Sequence, residues 1–128
     1  RDVRVAVFDN VSERRTWEFD LTDAVIHEMA ARGFRVHARA AAYTLRGRIL
    51  DARTPSVVEG RGDAVVVSSL RLRVEITLLD AQGKAVWKDD RTETVPFATG
   101  RAQSVESARQ EAFDRMARWV VTRFEKEW

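Results

Sequence analysis

Residues Val5 to Ala24 read VAVFDNVSERRTWEFDLTDA. A buried strand (Val5, Ala6, Val7, Phe8) runs into the polar turn Asp9-Asn10, and an amphipathic helix follows. Helix one is expected from about Thr16 to Arg32. Leu21, Thr22, Val25, Ile26 and Met29 share one face at helical spacing, and Asp20, Asp23 and His27 lie on the other. Gly33 is a suitable C-terminal stop.

Strands dominate the next sixty residues. Phe34 to His37 forms at most a short strand. Tyr43 to Leu50 is stronger, with Tyr43, Leu45, Gly47 and Ile49 facing one way and Arg46 and Arg48 the other. Thr54 to Gly62 reads as a loop through Pro55, Gly60 and Gly62. Val65 to Leu79 is the longest strand. Leu70, Leu72, Val74, Ile76 and Leu78 alternate with Arg71, Arg73, Glu75 and Thr77, which implies one covered and one wet face. Asp80-Ala81-Gln82-Gly83 makes a hairpin turn. Lys84 to Val95 is the last strand, with Pro96 as its stop and Phe97 to Gln103 as a loop. Helix two is expected from about Val105 to Glu127, with Ala112, Phe113, Met116, Val120 and Phe124 as its core stripe. Glu111 with Arg115 and Asp114 with Arg118 stand four apart on its outer side.

The order is β-α-β-β-β-β-α. Each helix has one apolar stripe and the long strand one apolar face. The expected fold is therefore α+β, a two-layer sandwich. Two helices pack on one face of a mixed, mostly antiparallel four-stranded sheet. The whole chain, 1–128, reads as one domain, with no repeat or linker.

Composition narrows the function. The 22 basic and 20 acidic residues leave a net charge of +2, far from the dense positive field of a nucleic-acid binder. No cysteine is present, which removes disulfides, thiolate catalysis and cysteine-based zinc sites. No apolar run reaches the roughly 18 residues that span a bilayer. The chain opens at Arg1-Asp2-Val3 without an initiator Met and reads as trimmed, so a missing targeting segment is uninformative.

No catalytic constellation stands out. His27 lies four residues after Asp23, where pairing with that carboxylate is the ordinary role. His37 ends a short strand, and neither histidine has further ligands nearby. Asp89 and Asp90 point to opposite faces of a strand, and Glu125 and Glu127 sit at a helix end. Ser68 and Ser69 lack an activating histidine, and Gly60-Arg61-Gly62 is too short for a phosphate loop. Neither enzyme activity nor a metal or cofactor is expected.

The pieces VAVFDN, LTDAVIHEMAARGFRV, YTLRGRI, RLRVEITLLDAQGKAVW and ARQEAFDRMARWVVTRFEKEW, in this order, resemble the LPS-assembly lipoprotein family of LptE type. The resemblance covers essentially the whole chain. It implies an outer-membrane lipoprotein on the periplasmic face, seated as a plug in a β-barrel partner of LptD type and helping deliver lipopolysaccharide. The lipid-bearing cysteine would lie upstream, and the long polar tail of some members is missing after Trp128. Curli-secretion lipoproteins and the small domain of TolB-type proteins also begin with an AVFDN-like strand, and they supply the alternative. The long hairpin running directly into a terminal helix favours the first family.

The resemblance also implies basic residues in two loops. An antiparallel meander would send Thr54–Gly62 and Phe97–Gln103 from one end of the sheet. Arg61 and Arg101 become the expected contacts to lipopolysaccharide phosphate. For the barrel partner, the polar sheet face with Arg71 and Arg73 and the terminal aromatics Trp17 and Trp128 are the candidates. The isolated chain is expected to be a monomer.

Overall fold

The computed structural model describes residues 2–54, 67–98 and 102–126. The chain runs β1 (Asp2–Val5), β2 (Asp9–Asn10), α1 (Trp17–Ala31), β3 (Arg35–His37), β4 (Thr44–Arg53), β5 (Val67–Leu79), β6 (Ala85–Ala98) and α2 (Ala102–Glu125). The sheet order is β3-β1-β4-β5-β6, with β2 also paired to β4. β1, β2 and β3 pair in parallel, while β4, β5 and β6 form an antiparallel meander. The α+β class, the mixed sheet and both helices on one face are as expected.

The sheet has six strands rather than four. The short Phe34–His37 segment does pair, as β3 on the free side of β1. The first strand is also split. Val5 faces Leu45 and Asp9 faces Arg48, so the first strand carries one residue more than β4 over this span. That bulge resets the alternation. Val3 and Phe8 are buried, whereas Val7, expected in the core, is 57% exposed.

Phe8 fixes α1 to the sheet. A Cβ at Gly47 would overlap its ring, so β4 admits Phe8 only because it has no side chain there. The Phe8 N–H donates to Thr22 Oγ1 at 3.0 Å, and that hydroxyl donates to the Glu18 carbonyl at 2.6 Å. One buried threonine thus satisfies an amide left over by the bulge. Leu21, Val25 and Met29 complete the buried stripe of α1, with Ile26 half-buried. At its C-terminus Gly33 takes φ 87°, Gly33 N–H bonds Ala30 O and Phe34 N–H bonds Met29 O, a Schellman closure.

Along β5, Leu70, Leu72, Val74, Ile76 and Leu78 are buried, and Arg71 and Arg73 are exposed. α2 covers β5 and β6, and α1 lies against α2, β2 and β3. Every expected stripe residue of α2 is buried, joined by Ala108, Ala117 and Val121. Glu111 pairs with Arg115 at 2.6 Å. Asp114 instead accepts a bond from Gln110 at 3.0 Å.

Pro96 does not end the last strand, which continues to Ala98. β6 is the sheet's outer strand, where a missing N–H can face away from β5 at no cost to the ladder. The expected loop Phe97–Gln103 is correspondingly shorter, since α2 already begins at Ala102.

Candidate functional site

The sheet face opposite the helices is polar. On β4 and β5 it carries Arg46, Arg48, Arg53, Arg71 and Arg73 across from the buried row. Arg73 is engaged, donating from Nε and Nη2 to Asp90 Oδ2 at 3.0 and 2.8 Å. Lys88 meets Glu75 at 3.4 Å, and Arg53 meets Asp51 at 3.0 Å. Arg71 has no ion pair among the described residues. It stands opposite Arg53 in the β4–β5 register, whose guanidinium is paired with Asp51. The two arginines singled out on this face therefore differ: Arg71 is available and Arg73 is partly neutralised. A cleft of about 230 Å³ between Asp9, Arg46, Arg48, Glu75 and Lys88 marks the same face.

Arg53 and Arg71 mark one end of the sheet. β4 ends at Arg53 and β6 at Ala98, both where β5 begins. The helices also start there, because α1 follows β2 and α2 follows β6 within a few residues. The Arg14 guanidinium reaches Thr54 Oγ1 at 3.4 Å, tying the turn before α1 to the last described residue after β4. Three large apolar side chains are exposed near the same helix starts: Val11 at 64%, Phe19 at 54% and Val105 at 44%. The sequence alone does not single them out. Phe19 lies off the apolar stripe of its helix, which was the available signal. Arg61, Arg101 and Trp128 fall outside the described residues.

Trp17 is half-buried. Its ring meets Phe113 edge-on at 5.4 Å between centroids, and the guanidiniums of Arg109 and Arg14 lie 5.5 and 5.7 Å from its centre. Much of this side chain therefore serves its own domain. Arg109 also pairs with Asp20 and, at 3.2 Å, with Glu106. At the opposite end of the helix pair, Arg32 donates to Glu28 Oε1, Thr122 Oγ1 and Glu125 Oε1, each at 2.9 Å. Hydrogen bonding to Glu125 raises the Arg32 pKa above its ordinary value. The cross-helix partners, Asp20 for Arg109 and Thr122 and Glu125 for Arg32, are not visible in the sequence because they lie on the other helix.

The two histidines have separate neighbours. His27 Nδ1 lies 3.3 Å from the Asp23 backbone carbonyl rather than its carboxylate. His37 Nε2 meets Asp2 Oδ1 at 2.8 Å across the β1–β3 pair, and this bond holds the Asp2 carboxyl below its ordinary value. Among the described residues no cluster of three potential metal ligands occurs, and no helix is long and apolar enough to cross a membrane.

The family model described as LptE, lipopolysaccharide-assembly, matches residues 1–124. No curated protein matches the chain. Among solved structures, a minor lipoprotein from Acinetobacter baumannii is similar with a TM-score of 0.69 and 17% identity, over 98% of this chain and 93% of that one. A lipoprotein from Neisseria meningitidis is similar with a TM-score of 0.61 and 10% identity, over 98% of each chain. The PelC dodecamer from Paraburkholderia phytofirmans gives a TM-score of 0.59 and 19% identity, over 89% of this chain and 83% of that one. At such identities these likenesses are of fold.

Proposed function

The chain belongs to the lipopolysaccharide-assembly family LptE, and from that premise we propose that it is the accessory lipoprotein of an outer-membrane lipopolysaccharide translocon. Its role is non-enzymatic. It supports and plugs a β-barrel of LptD type, stands on the periplasmic face through a lipidated upstream cysteine, and contacts lipopolysaccharide during delivery.

The observation that carries the ligand half of this reading is the loop end of the sheet. Arg53 and Arg71 face each other there, beside the ends of the segments that hold Arg61 and Arg101. Val11, Phe19 and Val105 add exposed apolar surface nearby. Guanidiniums suit the phosphates of a lipopolysaccharide head group, and apolar side chains suit the start of its acyl chains. The open sheet face with Arg71 and Arg73, together with Trp17 and Trp128, supplies the proposed contacts to the barrel.

The test has two arms. Purified protein is titrated with lipopolysaccharide and with dephosphorylated lipid A, as wild type and as Arg61→Asp with Arg101→Asp. Removing each charge-assisted hydrogen bond should weaken binding by on the order of tenfold, and binding should weaken with salt. Equal binding by wild type and double variant, or indifference to the phosphates, would remove these arginines from the site. In the second arm the protein is recovered from membranes and its companions identified. Recovery without a β-barrel would defeat the translocon reading.

A further inference from the structure

β6 spans 14 residues and, among the described residues, pairs with β5 alone, so its outer side is a strand edge that no described segment covers. Pro96 faces Ser69 and has no N–H to give. Positions in phase with it, Thr94, Thr92 and Asp90, therefore turn their backbone groups away from β5. Asp90 agrees, since its N–H donates to Asp89 Oδ1 at 2.8 Å. Proline on one side and this self-bonded amide on the other blunt the edge. Between them Thr92 and Thr94 form a short open window.

Beside the window, on the helix side, lies a cleft of about 450 Å³ lined by Arg91, Glu93, Arg115, Arg118, Trp119 and Thr122. Its lining includes three guanidiniums and one carboxylate. Arg91 is held by Glu93 at 2.6 Å, with its guanidinium 6.0 Å from the centre of the Trp119 ring. Arg115 is held by Glu111 at 2.6 Å. Arg118 has no ion pair among the described residues. Glu93 and Glu111 each neutralise one guanidinium, so Arg118 supplies the unpaired positive charge of the cleft lining.

We propose that the β6 edge and this cleft form one docking site for an extended, acidic segment of a partner polypeptide. The segment adds to the sheet as a further strand, bonding the backbone of Thr92 and Thr94. Alternate side chains then fall on the helix side, where a carboxylate meets Arg115 and Arg118 above Trp119. The intervening side chains lie beside Thr92 and Thr94 on the open face. A second copy of this chain is the poorer occupant, because its own β6 carries the same two interruptions. The proposal goes beyond the lipopolysaccharide reading and does not depend on it.

The probe is a labelled peptide of alternating Glu and Thr, about as long as an ordinary strand, followed by fluorescence anisotropy and amide hydrogen exchange. Its counterpart alternates Lys and Thr. The acidic peptide should bind and protect the Thr92 and Thr94 amides, and the basic one should bind at least about tenfold more weakly. Thr94→Pro removes an outward N–H without taking a bond from β5, and should lose the peptide. Arg115→Glu with Arg118→Glu should also lose it, with melting little changed. Failure of the acidic peptide to bind, equal binding of both peptides, or full binding by either variant overturns the proposal. So does a dimer of the protein that Thr94→Pro dissolves, which would make a second copy the occupant.

Discussion

Phe8 and Gly47 make one packing unit from two distant residues. The Phe8 ring is fully buried and fills the space where a β4 side chain would stand. A rigid ring surrounded by core cannot move aside, so Gly47→Ala is expected to cost about 1–3 kcal/mol in a denaturant melt. Phe8→Ala should cost about 3–5 kcal/mol, and combining the two should cost clearly less than their sum, because the new methyl then enters an emptied site. The sequence showed Gly47 only as one position in an alternating strand. Its purpose was illegible there, because it depends on a bulge that no residue type announces. Thr16 gives the opposite case. It takes φ 72° before α1 and makes no side-chain cap bond, a left-handed conformation that a β-branched residue resists. Thr16→Gly should raise stability by about 1 kcal/mol, seen as a higher melting temperature. An unchanged or lower one would show that the hydroxyl or methyl is needed there.

At the scale of elements, the two helices run parallel and are clasped at both ends by arginines. Arg109 of α2 reaches Asp20 of α1, and Arg32, just past α1, reaches Glu125 and Thr122 of α2. The groove between them has a volume of about 650 Å³ and a floor that includes Ala24, Ala31 and Ala117, residues too small to close it. The clasps therefore hold what apolar contact leaves open. Arg32 is partly exposed, so solvent screening keeps the value of its pairs modest. Arg32→Ala is expected to cost about 1–2 kcal/mol and to speed hydrogen exchange in the last turns of both helices. Exchange confined to α1 would place the clasp's worth elsewhere. β3 depends on a weaker tie. Because His37 lowers the Asp2 pKa below the ordinary 3.8, that tie contributes fully above the ordinary value and is lost as pH falls through the lowered one. Amide exchange in β3 should accelerate over that window, and Asp2→Asn should remove the dependence. Of these elements, the helices and the β5 alternation were legible because their periods are long. β3 has three residues and offers almost no period. Pro96 misled because a proline stops an inner strand but not an edge strand, and strand order is not written locally.

At the scale of the whole molecule, both helices occupy one face of the sheet, which leaves an open face and a loop end as distinct surfaces. The layers themselves follow from the β5 row. Leu72→Ala or Val74→Ala should cost about 2–4 kcal/mol, whereas Arg73→Ala on the open face should cost little, and equal losses would contradict the layering. The open face was legible as a polar row, but its charge balance was not, since cross-strand neutralisation depends on register. Asp90 meets Arg73 because β6 returns in the register that sets Glu75 opposite Asp90. Arg71 has Thr94 on that side and Arg53 on the other. If the open face docks a barrel partner through charge, Arg71 should carry more of the effect than its neighbour. Arg71→Glu alone should then weaken recovery of the partner nearly as much as Arg71→Glu with Arg73→Glu. Arg73→Glu alone should act less, because it exchanges an already paired cation for a third carboxylate beside Asp90 and Glu75. Arg73→Glu should alter lipopolysaccharide binding by no more than about twofold, because Arg73 is already paired with Asp90 and exposed charge is screened by salt, whereas Arg71→Glu should weaken it, because Arg71 also stands with Arg53 at the loop end. Pull-down and lipid titration on the same three proteins measure both surfaces at once. Unchanged lipid binding in Arg71→Glu would take Arg53 and Arg71 out of the lipopolysaccharide site and leave Arg71 to the partner alone.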